Sequence, residues 1–198
     1  MKITVVKKPP TAEKILRQSH FGLAVGLTKT AQEAKAAVEG SIRGKFTVRG
    51  SWLNNNSPVG IKIKPASYKD VNPSAEVRTR AGWIENQMKG GTFFPYGNYF
   101  AVPTENVRRT KTQLVQRSQR PANLKNAFTI KTRKANVLLL MQRKGRGKRK
   151  QAVAMYVLIP QKKLKAVDAF KEPIEKVLKR RLQLNVKTAI KNALQNIK

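Results

Sequence analysis

The sequence predicts an α+β fold in which an N-terminal helix and a long C-terminal helix pack on a small, mainly antiparallel sheet with a basic hairpin tip. Three observations predict it. Apolar residues recur at spacings of three and four through residues 11–45 and again through 168–197, the period of a helix with one buried face. Two runs rich in Val, Leu and Ile, 136–142 and 151–159, are separated by eight residues with two glycines and six cations, the pattern of a strand pair with a charged tip. Between the helical ends the apolar residues come in short runs broken by Gly, Pro and Asn, as short strands and ordered loops require.

Residues 1–10 end in Pro9-Pro10 and read as an arm. Residues 11–198 then form one α+β domain. Thr11 with Glu13 opens the first helix, whose apolar positions are Ile15, Leu16, Leu23, Leu27, Ala31, Ala34, Val38 and Ile42. Gly22 and Gly26 predict a break near 19–26, because glycine inside a helix costs about 1 kcal/mol relative to alanine. Ala31, Ala34, Ala36 and Ala37 form a small-residue face suited to close approach by a sheet or by the C-terminal helix. Residues 44–58, with Phe46, Val48, Trp52, three asparagines and Pro58, read as a loop or a short strand leading to a turn. The sequon there, Asn55-Asn56-Ser57, precedes proline and carries no weight.

The alternation Val59-Gly60-Ile61-Lys62-Ile63-Lys64 predicts a half-buried strand, with 74–80 as its partner. Trp83 to Met88 read as a short helical turn that ends at Gly90-Gly91. The aromatics Phe93, Phe94, Tyr96, Tyr99 and Phe100 sit among prolines and glycines and read as core or interface rather than as a stacking platform. Residues 105–125 are polar and basic; a helix ending at Pro121 is expected there, and a short strand follows at 128–131. The C-terminal helix starts from an Asp168 cap, carries Pro173 in its first turns, and presents Phe170, Ile174, Val177, Leu178, Leu182, Val186, Ala189, Ile190, Ala193, Leu194 and Ile197 as its stripe. Phe170, Ile174, Leu178 and Leu182 are its candidates for an oligomer interface.

Charge narrows the function. In 198 residues, 42 Lys+Arg face 10 Asp+Glu, a formal net charge of +32. Residues 106–167 hold eighteen cations and no acid. A stretch so one-sided is expected to form a basic face or lining, which points to a polyanion or an acidic partner. The absence of cysteine excludes a disulfide scaffold and a thiolate site, and the single histidine, His20, excludes a multi-histidine metal centre. The carboxylates are scattered, and the closest pair, Glu172 and Glu175, is suited to pairing with lysine on a basic helix. No catalytic residue, metal or cofactor is assigned. No apolar run approaches a bilayer span, and a soluble, intracellular protein is expected. Gly145-Arg146-Gly147-Lys148 lacks the first glycine and the hydroxyl residue of a P-loop, and reads instead as a non-specific phosphate clamp. The candidate nucleic-acid contacts are Arg143, Lys144, Arg146, Lys148, Arg149 and Lys150, with Arg108, Arg109 and Lys111 second.

The arrangement resembles the phage minor tail protein Z family, the tail-completion proteins of long-tailed phages. The resemblance rests on the Ala-rich N-terminal helix, on Trp83-Ile84-Glu85 with Gly91-Thr92, and above all on the end of the chain. There, Val157-Leu158-Ile159-Pro160 leads to Ala169-Phe170-Lys171, Ile174-Glu175 and Arg180-Arg181-Leu182. It implies a non-enzymatic virion protein at the head-proximal end of the tail, made in the host cytoplasm and forming a ring of copies. Its implied partners are other neck or tail proteins, such as the tail terminator and tape measure, and double-stranded DNA held through phosphates. The alternative is a free cellular protein that binds RNA or DNA and has no place in a virion.

Overall fold

The computed structural model describes residues 11–53, 57–133, 136–145 and 151–197. Its class is α+β, with two long helices packed together and antiparallel sheets. Where the sequence suggests a single domain, the chain gathers into two compact units. One is built from the segments up to 47, 52–84 and 168 onward, the other from 48–51 and 85–167.

The first unit is organised by two helices. Helix α1 (Ala12–Lys45) runs unbroken for 34 residues, and helix α3 (Lys171–Gln195) lies antiparallel along it. The break expected near 19–26 is absent, and the reason is tertiary. A Cβ at Gly22 would lie 2.6 Å from Ile190 Cα, and one at Gly26 would lie 2.6 Å from Val186 Cα. The two glycines let the α3 backbone lie directly on α1, so their weak helix propensity is overridden by packing. One turn on, buried Thr30 donates to Gly26 O (2.9 Å) and accepts from buried Asn185 Nδ2 (3.2 Å). Farther along, Arg181 meets Glu33 at 3.1 Å, and Glu172 is held by Lys45 at 3.1 Å and Lys176 at 2.7 Å.

Ala24, Ala31, Ala34, Val38 and Ile42 form the buried face of α1. The helix stops at Phe46, which turns extended. Strands β1 (Lys62–Lys64) and β2 (Glu76–Arg78) pair antiparallel as expected and lie against α1. Trp83 receives Trp52 and Phe46 edge-on, with centroids 5.0 and 5.6 Å away. Just ahead of α3, whose N-cap position is Phe170, Asp168 Oδ1 accepts from the amides of Phe170 (3.0 Å) and Lys171 (2.8 Å), as the expected capping role requires. The helix therefore begins three residues after Asp168.

Helix α2 (Gly82–Lys89) leads into the second unit and ends at Gly90, where φ is +63° and a Cβ would lie 2.7 Å from the amide of Ala166. Strand β3 (Gly91–Phe93) follows, then β4 (Phe100–Pro103), β5 (Ala127–Lys131), β6 (Leu138–Lys144), β7 (Gln151–Ile159) and β8 (Lys162–Leu164). β3 pairs with β8, while the other four form an antiparallel sheet in the order β4-β7-β6-β5. The β6–β7 hairpin is the one its hydrophobic runs predict. A bulge opposite Leu140 and Met141 moves the register from Tyr156 to Ala154, and the extra residue lets both Met155 and Tyr156 enter the core.

Candidate nucleic-acid interface

The second unit holds twenty Lys+Arg against two carboxylates, Glu85 and Glu105. Glu85 is taken by Lys89 at 2.6 Å, and that hydrogen bond and charge hold its carboxyl below the usual range. Little negative charge is left to offset the rest, so the unit carries a strong positive field.

The sheet decides where those cations stand. Residues directly opposite in antiparallel strands share a face, and neighbours along a strand alternate. Val102, Val157, Leu139 and Ile130 are cross-strand neighbours and form one row, with Met141 and Phe128 beside it. Arg143 belongs to this face; its guanidinium lies 5.2 Å from the Phe128 ring centroid, a cation–π contact. Lys144, the next residue, points to the opposite face.

That opposite face is covered by residues 104–124. Val107, Val115 and Leu124 pack on Met155, Tyr156, Leu140, Val153 and Leu158. Thr104 Oγ1 and Asn106 Nδ2 donate to Ala154 O at 2.7 and 3.0 Å, and the Tyr156 hydroxyl donates to Gln119 O at 2.6 Å. Burial raises the pKa of Tyr156, opposed by the nearby charges of Arg109 and Arg120.

The helix expected over 105–125 is not formed. The chain makes a small hairpin, closed by Gln116 N to Arg108 O (3.1 Å) and Thr110 N to Leu114 O (2.8 Å), followed by two one-turn 3₁₀ helices at Arg117–Gln119 and Pro121–Asn123. The apolar anchors Val107, Val115 and Leu124 are eight and nine residues apart, which no single helical face accommodates.

The candidate contacts are thus partly gathered and partly separated. Arg108, Arg109 and Lys111 share the small hairpin, with Arg108 and Lys111 exposed and Arg109 half-buried and donating to Gln113 O at 3.3 Å. Arg143 and Lys144 are exposed at the far end of β6, on opposite faces. Arg146, Lys148, Arg149 and Lys150 lie outside the described residues. The described cations therefore surround the sheet rather than lining one side of it. In the first unit, Phe170, Ile174 and Leu182 are half-buried, and Leu178 is 42 % exposed.

The aromatic segment is expected to be core or interface; Phe93 and Phe100 are half-buried, but the core half of that expectation fails for the three rings between them. Phe94 is 71 % exposed, Tyr99 38 % exposed and Tyr96 wholly exposed. Composition suggests burial for such a cluster, but Pro95-Tyr96-Gly97 places its centre at a turn. The flanking proline and glycine were the available signal for exposure.

Among the described residues no three His, Cys, Asp or Glu side chains are placed to hold a metal ion, and no helix is long and apolar enough to cross a membrane. Comparison with family models, with curated proteins and with solved structures finds no match to the chain.

Proposed function

We propose that the chain is a structural virion protein of a long-tailed phage that holds double-stranded DNA at the head–tail junction by its phosphates, without catalysis and without reading sequence. The setting and the ring of copies follow from the resemblance to the minor tail protein Z family. The DNA contact is carried by one observation: a compact unit whose sequence holds twenty cations against two carboxylates, with its described Arg and Lys, Arg109 apart, exposed to solvent.

The chemistry supports retention rather than readout. Lysine and arginine on loops make charge contacts to phosphate, which fix position but carry no sequence information. The described cations lie on both faces of the four-stranded sheet, one of which is covered by residues 104–124, and two carboxylates do little to offset them. Such a surface holds a duplex and still lets it slide.

Duplex binding measured against salt tests the reading. Replacing Arg143, Lys144, Arg146, Lys148, Arg149 and Lys150 with Ser is expected to lower affinity and flatten the slope of log K against log salt, by about 0.9 for each phosphate no longer neutralised. Replacing Arg108, Arg109 and Lys111 with Ser is expected to flatten it less. An unchanged slope in the six-residue variant removes the hairpin tip from the site. Cryo-EM of purified particles, with the DNA density retained, tests the setting. A chain absent from the particle but bound to nucleic acid in the cell overturns the virion role and leaves the free-binding alternative.

A further inference from the structure

Among the described residues, the loop 94–99 is the one place where the second unit sets large rings into solvent. It is held at both ends. On entry, Thr92 and Phe93 pair with Lys163 and Lys162 of β8; on exit, Phe100 pairs with Ile159 of β7. Six residues spanning two sheet pairings present Phe94, Tyr96 and Tyr99 on a short, doubly anchored loop, and a preorganised ring loses less entropy on binding than one on a free chain. The ring–ring contacts of the described residues are Phe21–Tyr68, Phe46–Trp83 and Trp52–Trp83, so none of these three rings has its face covered by another ring.

The surroundings are cationic. Lys162 and Lys163 are both exposed, one on each face of the strand paired with the loop's entry, and Lys165 is exposed just beyond; the acids nearest the loop in sequence are Glu85, paired with Lys89, and Glu105. Exposed aromatic faces beside lysines match the chemistry of unpaired bases, which stack on rings while their phosphates meet ammonium groups. In duplex DNA the base faces are already stacked on one another and are not open to these rings.

We infer that loop 94–99, with Lys162 and Lys163, is a binding platform for single-stranded nucleic acid, distinct from the cations proposed to hold duplex. The distinction is built into the sheet. The loop joins β4 opposite Ile159, whereas Lys144, the last described cation of β6, pairs with Gln151, eight residues away along β7. At about 3.3 Å per residue these two ends of β7 are roughly 26 Å apart.

The experiment is fluorescence anisotropy of the full chain with a labelled poly-deoxythymidine strand and, separately, with a duplex of the same length. Phe94→Ala/Tyr96→Ala/Tyr99→Ala is expected to weaken single-strand binding about tenfold or more, while duplex affinity and its salt slope stay unchanged. Tyr96→Phe, which keeps the ring, is expected to bind the single strand as the parent does. Lys162→Gln/Lys163→Gln is expected to flatten the single-strand salt dependence. Duplex affinity in the same preparation serves as the folding control. An equal loss for both probes, or no loss for either, overturns the platform; the second outcome is the one a protein-docking loop gives. Because the ring substitutions touch none of the cations of 143–150, nor Arg108, Arg109 or Lys111, failure of the platform leaves the duplex proposal standing, and the reverse holds too.

Discussion

Adding one methyl group at the α1–α3 crossing should cost more stability than the same group gains elsewhere on the same helix. At Gly22 and Gly26 a Cβ would lie 2.6 Å from a backbone Cα of α3, whereas around Gly40 nothing lies within 4 Å. Carbon atoms rest at about 3.5–4.0 Å, so relief at either crossing glycine needs roughly 1 Å of local separation. The opposing atoms are backbone and have no alternative rotamer. Overpacking of this kind costs up to about 3 kcal/mol, and the better helix propensity of alanine returns about 1 kcal/mol. The expected result for Gly22→Ala or Gly26→Ala is a net loss of about 2 kcal/mol, against a gain of up to about 1 kcal/mol for Gly40→Ala. Urea unfolding followed by tryptophan emission reads this unit selectively, because both tryptophans, Trp52 and Trp83, belong to it. If all three variants were stabilised alike, the close crossing would be wrong.

Two other substitutions probe the same pair of helices. Glu172 is drawn down to about 2 by hydrogen bonds from Lys176 and then Lys45, with their charges adding to the effect. A carboxylate whose folded pKa is depressed contributes stability that is fully present above its unfolded value near 4.5 and is lost as pH falls toward 2. Glu172→Gln should therefore lose less stability than the parent over that window, and a carboxyl titration followed by NMR should place the Glu172 midpoint near 2. Asn185→Ala leaves the buried Thr30 hydroxyl without its donor and should cost about 1–3 kcal/mol; combined with Thr30→Val it should cost less than the sum of the single changes, read as a coupling in a double-mutant cycle.

The parts of the fold legible in the sequence are those whose pattern is local and long. The β6–β7 hairpin follows from two apolar runs around a glycine-containing cationic turn, and α3 follows from a stripe sustained along its whole length. The β1–β2 ribbon and α2 follow from alternation and from Gly90-Gly91. The rest is decided by partners that local pattern does not show. Gly22 and Gly26 weaken a helix in isolation, and only α3 lying against them explains their presence. Residues 105–125 take their path from three apolar anchors on a sheet assembled from distant segments. Phe94 and Tyr96 have the composition of core residues but sit at a turn. The charge of the candidate interface could be counted from the residues, yet its division between sheet faces depends on strand alternation, which sends Arg143 and Lys144 in opposite directions.

The antiparallel seam of α1 and α3 also governs the order in which the chain matures. Its hydrogen bonds join residues 123 to 155 positions apart, from Lys45 with Asp168 to Thr30 with Asn185. On the ribosome α1 emerges long before its mate has been translated, whereas the strands of residues 85–167 find their neighbours within that stretch. The intervening segment can therefore settle first, while the glycine-marked flank of α1 waits in water for the last helix to arrive. Premature termination before residue 171 would strand that flank exposed, a ready substrate for chaperones and proteases.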